Sequence, residues 1–150
     1  MKETKCYDLF VTHAWRFHDD WTRFSNLLDK AEGVAWRNFS LPWHDPAMNP
    51  NSKIGGHFIR NFLETQIIPV HAVVLLSSVY SIPSARHWFE LEVEMARKHN
   101  KPIIGMPLNE ETLIPEEVSL LCDGCCNWDL NSIFSTIDQV RNLPKFAPLT

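Results

Sequence analysis

Short apolar segments alternate with amphipathic segments along most of the chain, and this alternation constrains the fold more than any other feature. The apolar, β-prone runs that predict strands are 7–11, 34–39, 71–76, 102–106 and 125–128. Helical spacing predicts helices from Asp19 or Asp20 to Gly33, over 54–66, 85–100 and 132–142, with a short helical turn near 115–117. Strands that alternate with helices form a parallel sheet covered on both faces. The pattern therefore predicts an α/β fold in three layers, a flavodoxin-like, doubly wound, five-stranded parallel sheet.

Size and composition predict one globular domain over 1–150. The chain has 150 residues, of which 45% are hydrophobic and 21% charged, and it contains no repeat or linker. Its formal charge of −4 argues against nucleic acid as a partner. No apolar run approaches the roughly 20 residues that cross a bilayer, and residues 1–8 lack an apolar signal segment. We therefore expect a cytoplasmic protein without a membrane partner.

The four cysteines raise the question of a metal or redox site. Cys122 and Cys125 have the spacing of zinc ligands, but no second pair or nearby histidine completes a set of four. Adjacent Cys125 and Cys126 would point to opposite faces of a strand. We expect no metal, and we interpret these cysteines and Cys6 as reduced structural thiols.

The residues that follow the predicted strands exclude several known site types. A phospho-receiver domain needs acidic residues after the first strand and an aspartate after the third, whereas this chain has Thr12-His13 and Ser77-Ser78 there. The loop after the first strand is not the hydroxyl- and glycine-rich loop of a flavodoxin. The chain also has no Walker A, GxGxxG, HExxH or GxSxG motif.

One acidic residue does not fit its position on the predicted helix 85–100. An advance of about 100° per residue places an apolar arc opposite a charged face. The arc holds Phe89, Leu91, Val93, Met95, Ala96 and His99, and the charged face holds Glu90, Glu94, Arg97 and Lys98. Glu92 lies inside the arc, between Trp88 and Ala96. An inward carboxylate is costly unless it is paired or belongs to a site, so Glu92 is either a structural acid or a functional one.

Aromatic, basic and hydroxyl side chains follow the first three predicted strands. They are His13, Trp15, Arg16, Trp43, His44, Ser77, Ser78 and Tyr80. Loops that follow the strands of a doubly wound sheet share one edge, where ligands bind. Such a pocket suits a nucleotide, because rings stack on tryptophan, ribose hydroxyls bind carboxylate or serine, and phosphate meets Arg16 or backbone N–H groups. Ordinary loop or core packing is the alternative for each residue.

Two segments resemble motifs of the TIR domain family. The run YDLFVTH at 7–13 is similar to the first-strand motif of TIR domains, commonly YDVFISH. The run LLSSVY at 75–80, followed by Ser84 and by WFELE at 88–92, is similar to the later motif in which a tryptophan precedes a glutamate by four. The sequences of these two motifs are most similar to those of the short bacterial TIR-like proteins of the Thoeris antiphage defence system.

This resemblance implies an enzyme of the NAD glycohydrolase or ADP-ribosyl cyclase type. Such an enzyme cleaves the nicotinamide–ribose bond of NAD, which is its substrate rather than a cofactor, and makes a cyclic or conjugated ADP-ribose signal for a partner effector protein. Glu92 corresponds to the catalytic glutamate and Trp88 to the aromatic residue beside it. The candidate substrate-binding residues are Trp88, His13, Trp15, Arg16, Trp43, Asp45 and Ser78.

The loop 41–53 corresponds to the BB loop, through which TIR domains self-associate. It carries PWHDP at 42–46 where many TIR domains have Arg-Asp and Pro-Gly. Two alternatives stay open. The chain could be a non-enzymatic scaffold that acts through TIR–TIR contacts, or another N-glycosidic enzyme similar to a nucleoside deoxyribosyltransferase.

Overall fold

A computed structural model describes residues 5–12, 19–40, 53–81 and 86–141, with the backbone alone for 53–59, His87 and Trp88. The strands are β1 (Lys5–Thr12), β2 (Val34–Asn38), β3 (Ala72–Leu75), β4 (Ile103–Gly105) and β5 (Gly124–Cys125). The helices of the described part are α1 (Asp19–Asp29), α2 (Lys53–Ile67), α3 (Ser77–Ser81), α4 (Arg86–Lys98), α5 (Glu116–Ser119) and α6 (Leu130–Arg141).

All neighbouring strands of the sheet are parallel, and their order is β2-β1-β3-β4-β5. This confirms the predicted flavodoxin-like sheet. Within the sheet, β2 lies next to β1 in one direction, and β4 lies next to β3 in the opposite direction. The strand order therefore reverses between β1 and β3, and ligands bind such sheets at the carboxyl ends of the strands beside this switch point.

Two hydrophobic cores cover the two faces of the sheet. Alternation along β1 sends Phe10 to one face and Leu9 and Val11 to the other. The first core lies on the face of the sheet that α2 and α4 cover, which we call the α2/α4 side, and α5 also contributes to it. The second, the α1/α6 side, contains Phe24 of α1 and Ile137 of α6. Phe10, Val74 and Ile103 are at most 1% exposed, as expected for central strands.

Besides small shifts at the ends of other elements, three local details differ from the prediction. Ser77–Ser81 forms the short helix α3 where a loop was predicted. The fifth strand ends at Cys125, since the chain then turns so that Trp128 Nε1 donates to the Pro107 carbonyl at 2.8 Å. The last helix begins two residues early, because the Asp129 carboxylate accepts the Asn131 N–H at 3.2 Å and caps it.

The cysteines are all described, and each thiol is free. Cys126 packs into the core of the α1/α6 side, and Cys122 packs against the core of the α2/α4 side. Burial is the main cause that raises the pKa of Cys122 to about 12 and that of Cys126 to about 11. Both groups are therefore protonated at neutral pH, which fits a packing role.

As for membranes, none of the described helices combines the length and apolarity that crossing would need.

An ion pair between a buried aspartate in the middle of β1 and an exposed arginine near the carboxyl end of β2 links β1 to its neighbours. The Asp8 carboxylate, 6% exposed as a residue, accepts hydrogen bonds from Arg37 Nε at 2.6 Å and Arg37 Nη2 at 2.7 Å. Asp8 and Arg37 lie opposite each other in the β1–β2 register. The Asp8 N–H donates to His71 Nδ1 at 3.0 Å, and the His71 N–H donates to the Asp8 carbonyl at 2.7 Å. The cluster therefore joins β2, β1 and the residue before β3.

Asp8→Asn should lower the free energy of unfolding at pH 7 by about 1 kcal/mol, because it removes a charge-assisted pair whose arginine side chain is 66% exposed. Hydrogen bonds from Arg37 hold the pKa of Asp8 below its ordinary value of 3.8. The contribution of the pair is therefore complete above that value and is lost as the pH falls through the lower, folded-state pKa. Urea unfolding of both proteins at pH 7, 5 and 3 measures the difference. A difference that stays constant down to pH 3 would contradict the assignment.

Candidate functional site

Buried polar residues gather at the switch point. Thr12 ends β1, and Ser77 and Ser78 begin α3 directly beyond β3; all three are buried. The Thr12 hydroxyl donates to the Val74 carbonyl at 3.1 Å, and the Leu76 N–H donates to the Thr12 carbonyl at 3.1 Å. Hydroxyl groups thus occupy the carboxyl edge between the two central strands, where a doubly wound sheet offers its ligand site.

Asp20 joins the start of α1 to the start of α3. Its Oδ2 accepts the backbone N–H of Ser78 at 2.9 Å, and its Oδ1 accepts the N–H of Trp21 at 2.7 Å. A carboxylate is favourable at a helix N-terminus, where N–H groups lack partners inside the helix. This bond explains why a serine-rich segment becomes helical: α3 is also held by the buried Val79 and by a 2.5 Å bond from Ser81 Oγ to the Ser77 carbonyl.

Tyr80 fixes the other end of α3. Its hydroxyl donates to the Met106 carbonyl, just beyond β4, at 2.9 Å. Burial raises the pKa of Tyr80 to about 12, so the phenol is a neutral donor at physiological pH. Together, Asp20 and Tyr80 hold the serine-bearing helix between α1 and β4.

Glu92 lies on the side of α4 that faces the sheet. One flank of α4 reaches α2, where Lys98 Nζ pairs with Glu64 at 2.9 Å. The opposite flank reaches the segment after α5, where Arg97 donates to the Leu121 carbonyl at 3.3 Å. Glu92 falls between these flanks and is 3% exposed. The predicted helical phase, with Glu92 turned inward, is therefore confirmed.

Only two acidic residues are buried in the described part of the chain, Asp8 and Glu92. Arg37 accounts for the burial of Asp8 in the middle of β1. Glu92 lies on the same inward side of α4 as Leu91 and Ala96, which belong to the core of the α2/α4 side. A carboxylate in such surroundings acts on nearby charge more strongly than one in water, because the local dielectric is low.

The structure places some of the predicted site residues and brings their helices together. Ser78 is buried in α3, Glu92 is buried in α4, and these two helices pack against each other. Trp88 lies one turn before Glu92 in α4, with only its backbone described. Five predicted residues lie outside the described part, namely His13, Trp15, Arg16, Trp43 and Asp45, as do residues 41–52 of the predicted self-association loop.

A cavity of about 270 Å³ opens at the same carboxyl edge, on the α1/α6 side. Its lining includes Asp19, Asp20 and Arg23 of α1, Ser77 and Ser78 of α3, and Trp128. Of the predicted site residues, Ser78 lines it, whereas Glu92 does not. The Asp19-Asp20 pair is predicted from the sequence only as a helix cap. Its position between the first strand and a helix was the available signal for a site.

The wall of this cavity is braced by an arginine stacked on a tryptophan. The Arg23 guanidinium lies 4.1 Å from the centre of the Trp128 ring, and it also pairs with Glu110. The edge of Phe24 meets the same ring, with centroids 6.3 Å apart. The Trp128 ring and Glu110 therefore hold the Arg23 guanidinium at this wall.

Comparison with known proteins identifies no family, since no family model matches the chain and no curated protein matches it significantly. The resemblance to TIR domains thus stays a prediction based on the two motifs.

Asp20→Asn should weaken the junction of α1 and α3, because a neutral amide cannot accept both N–H groups. We expect a loss of about 1 kcal/mol in the free energy of unfolding and faster hydrogen exchange at the Ser78 amide. Asp19→Asn is the matched control, since it removes the same charge from the same helix turn. Equal exchange rates at Ser78 in both variants would show that Asp20 does not hold α3.

Proposed function

We propose that this protein is a TIR-type enzyme that cleaves the nicotinamide–ribose bond of NAD, with Glu92 as the catalytic carboxylate. The observation that carries the proposal is the burial of the Glu92 side chain on the sheet-facing side of α4, four residues after Trp88. The parallel sheet with order β2-β1-β3-β4-β5 supports it, because this architecture is the one that the TIR-like motifs imply.

The reaction needs one carboxylate and no general acid. The bond between ribose C1′ and nicotinamide N1 breaks, and its electron pair leaves with N1, so the pyridinium departs as neutral nicotinamide without a proton. Positive charge develops on the ribosyl group, as in glycoside hydrolysis. A negative group fixed beside that charge lowers the barrier. In our proposal Glu92 takes this role and also binds the ribose hydroxyls.

The burial of Glu92 has a consequence for activation. A side chain that is 3% exposed meets substrate only when the groups that cover it move aside. We propose that self-association through 41–53 accompanies this opening, so that the assembled protein is the active form. Turnover should then rise more steeply than in proportion to protein concentration.

We further propose that the product is a cyclic or conjugated ADP-ribose that serves as a signal for an effector protein in antiphage defence. The ribosyl cation can be captured by water, by a group of the same ADP-ribose or by another small nucleophile. Aromatic walls from Trp43 and Trp88 would exclude water and favour the second or third route. The motif resemblance to Thoeris TIR-like proteins supports this choice.

Glu92→Gln should abolish NAD cleavage, with a loss of at least about 100-fold in kcat, because the amide keeps the size of the side chain without its charge. Nicotinamide release is measured over a range of protein concentrations, together with the melting temperature. Glu94→Gln, which neutralises an exposed acid of the same helix, is the control.

Four results would contradict the assignment in different ways. Wild-type turnover in assembled Glu92→Gln would remove Glu92 from catalysis, and a change in melting temperature alone would make it a structural acid. Turnover of deoxynucleosides without turnover of NAD would indicate a deoxyribosyltransferase-like enzyme. An assembled wild-type protein that turns over neither substrate would be a scaffold.

Trp88→Ala should shift the products toward plain ADP-ribose or lower turnover, because Trp88 lies one helical turn from Glu92 and would shield the ribosyl cation from water. Chromatography with mass detection follows the products over time. Glu90→Ala, an exposed position on the same helix, is the control. If wild-type protein forms only ADP-ribose and nicotinamide at every time point, the signalling part of the proposal fails and an NAD-depleting enzyme remains.

A further inference from the structure

The cavity at the carboxyl edge and the buried glutamate lie on opposite sides of the sheet. Glu92 belongs to α4, which covers the α2/α4 side, whereas Arg23 and Trp128 of the cavity belong to the α1/α6 side. Ser77 and Ser78 begin α3 at the end of β3, so they stand at the edge between the two sides. A ligand that occupied both places would cross the edge at the switch point, as dinucleotides do in doubly wound sheets.

The acidic part of the cavity suits a pair of ribose hydroxyls. The two carboxylate oxygens of Asp20 already accept backbone N–H groups. Asp19 is exposed and lines the cavity beside Asp20, and Ser81 lines it at the end of α3. A carboxylate accepts hydrogen bonds from ribose hydroxyls, and a serine hydroxyl can add another.

The remaining wall of the cavity suits a nucleobase. Trp128 supports one face of the Arg23 guanidinium at 4.1 Å, while the Arg23 side chain as a whole is 41% exposed. A planar base can stack on the other face of a guanidinium held in this way. Leu108, which is 59% exposed, adds apolar surface to the same cavity.

The charge and the size of the cavity limit which ligands it can bind. Asp19, Asp20 and Glu110 outnumber Arg23, so a diphosphate inside the cavity would meet repulsion. The volume of about 270 Å³ lies below the roughly 300–1,000 Å³ of pockets that enclose a whole drug-sized ligand. The cavity therefore fits one nucleoside and not a complete dinucleotide.

We infer that this cavity binds the adenosine half of NAD, while the nicotinamide riboside half crosses the carboxyl edge toward Glu92. The inference rests on the proposed function for the identity of the ligand. It assigns Asp19 and Ser81 to the ribose and Arg23 to the adenine. The Ser77–Ser78 backbone and hydroxyls mark the crossing point.

Binding of ADP-ribose tests the cavity without any need for turnover. Isothermal titration compares the wild type with Asp19→Asn, which removes the ribose acceptor, and with Ser81→Phe, which fills the cavity. We expect the Kd to rise about tenfold or more in both variants. Glu32→Gln, which neutralises an exposed acid just after α1 and outside the cavity, should keep the wild-type Kd. Melting temperatures confirm that each variant is folded.

Kinetics with a truncated substrate locate the adenosine half. Nicotinamide mononucleotide carries the scissile bond but lacks adenosine. The ratio of kcat/KM for NAD to that for the mononucleotide should fall about tenfold in Asp19→Asn and stay at the wild-type value in Glu32→Gln. If Asp19 had only a structural role, Asp19→Asn would lower kcat/KM for both substrates by the same factor and leave the ratio unchanged.

The outcomes separate this inference from the proposed function. If the cavity variants weaken ADP-ribose binding but the wild type does not cleave NAD, the proposed function is overturned and the adenosine site stands. NAD cleavage with an unchanged ratio and an unchanged Kd in Asp19→Asn and Ser81→Phe would overturn the adenosine site alone. Absence of both ADP-ribose binding and NAD cleavage would overturn both.

Discussion

Hydrogen bonding of β1 to strands on both sides is the constraint from which the rest of the fold follows. β1 pairs with β2 along one edge and with β3 along the other, and both pairings are parallel. A parallel sheet needs helical crossovers, and these bury both faces of the strands. The crossovers from β1 and β3 go to opposite faces of the sheet, while the carboxyl ends of the two strands stay paired and carry Thr12, Ser77 and Ser78. The Asp8–Arg37 pair joins the middle of β1 to β2.

The two buried acids of the described residues show how position decides what a carboxylate can do. Asp8 is held by an arginine in direct cross-strand register. Its charge is therefore neutralised locally, and the pair stabilises the contact between β1 and β2. Glu92 sits on the inner side of a helix whose exposed Glu94 and Lys98 pair with the neighbouring α2. In our proposal, this inward carboxylate is the catalytic one.

Helix α3 connects the proposed chemistry with the cavity on the other side of the sheet. Its first residues are tied to α1 through Asp20, its Tyr80 is tied to β4, and its body packs against α4. A ligand that touches the serines of α3 would therefore meet groups positioned by three other elements. Binding sites on a doubly wound sheet draw on this arrangement, since loops and helix starts from several strands converge at one edge.

Local patterns in the sequence determined the order of strands and helices, the parallel sheet and the inward phase of Glu92. Helical and strand periodicities are properties of neighbouring residues, so they can be read without knowledge of the rest of the chain. The tertiary structure alone decided that Ser77–Ser81 is a helix, that Arg37 clamps Asp8 and that Arg23 stacks on Trp128 to form a cavity. These features depend on contacts between distant segments, such as Asp20 and Ser78, which are 58 residues apart. No local pattern encodes such a contact, because it exists only once the sheet has brought its carboxyl ends together.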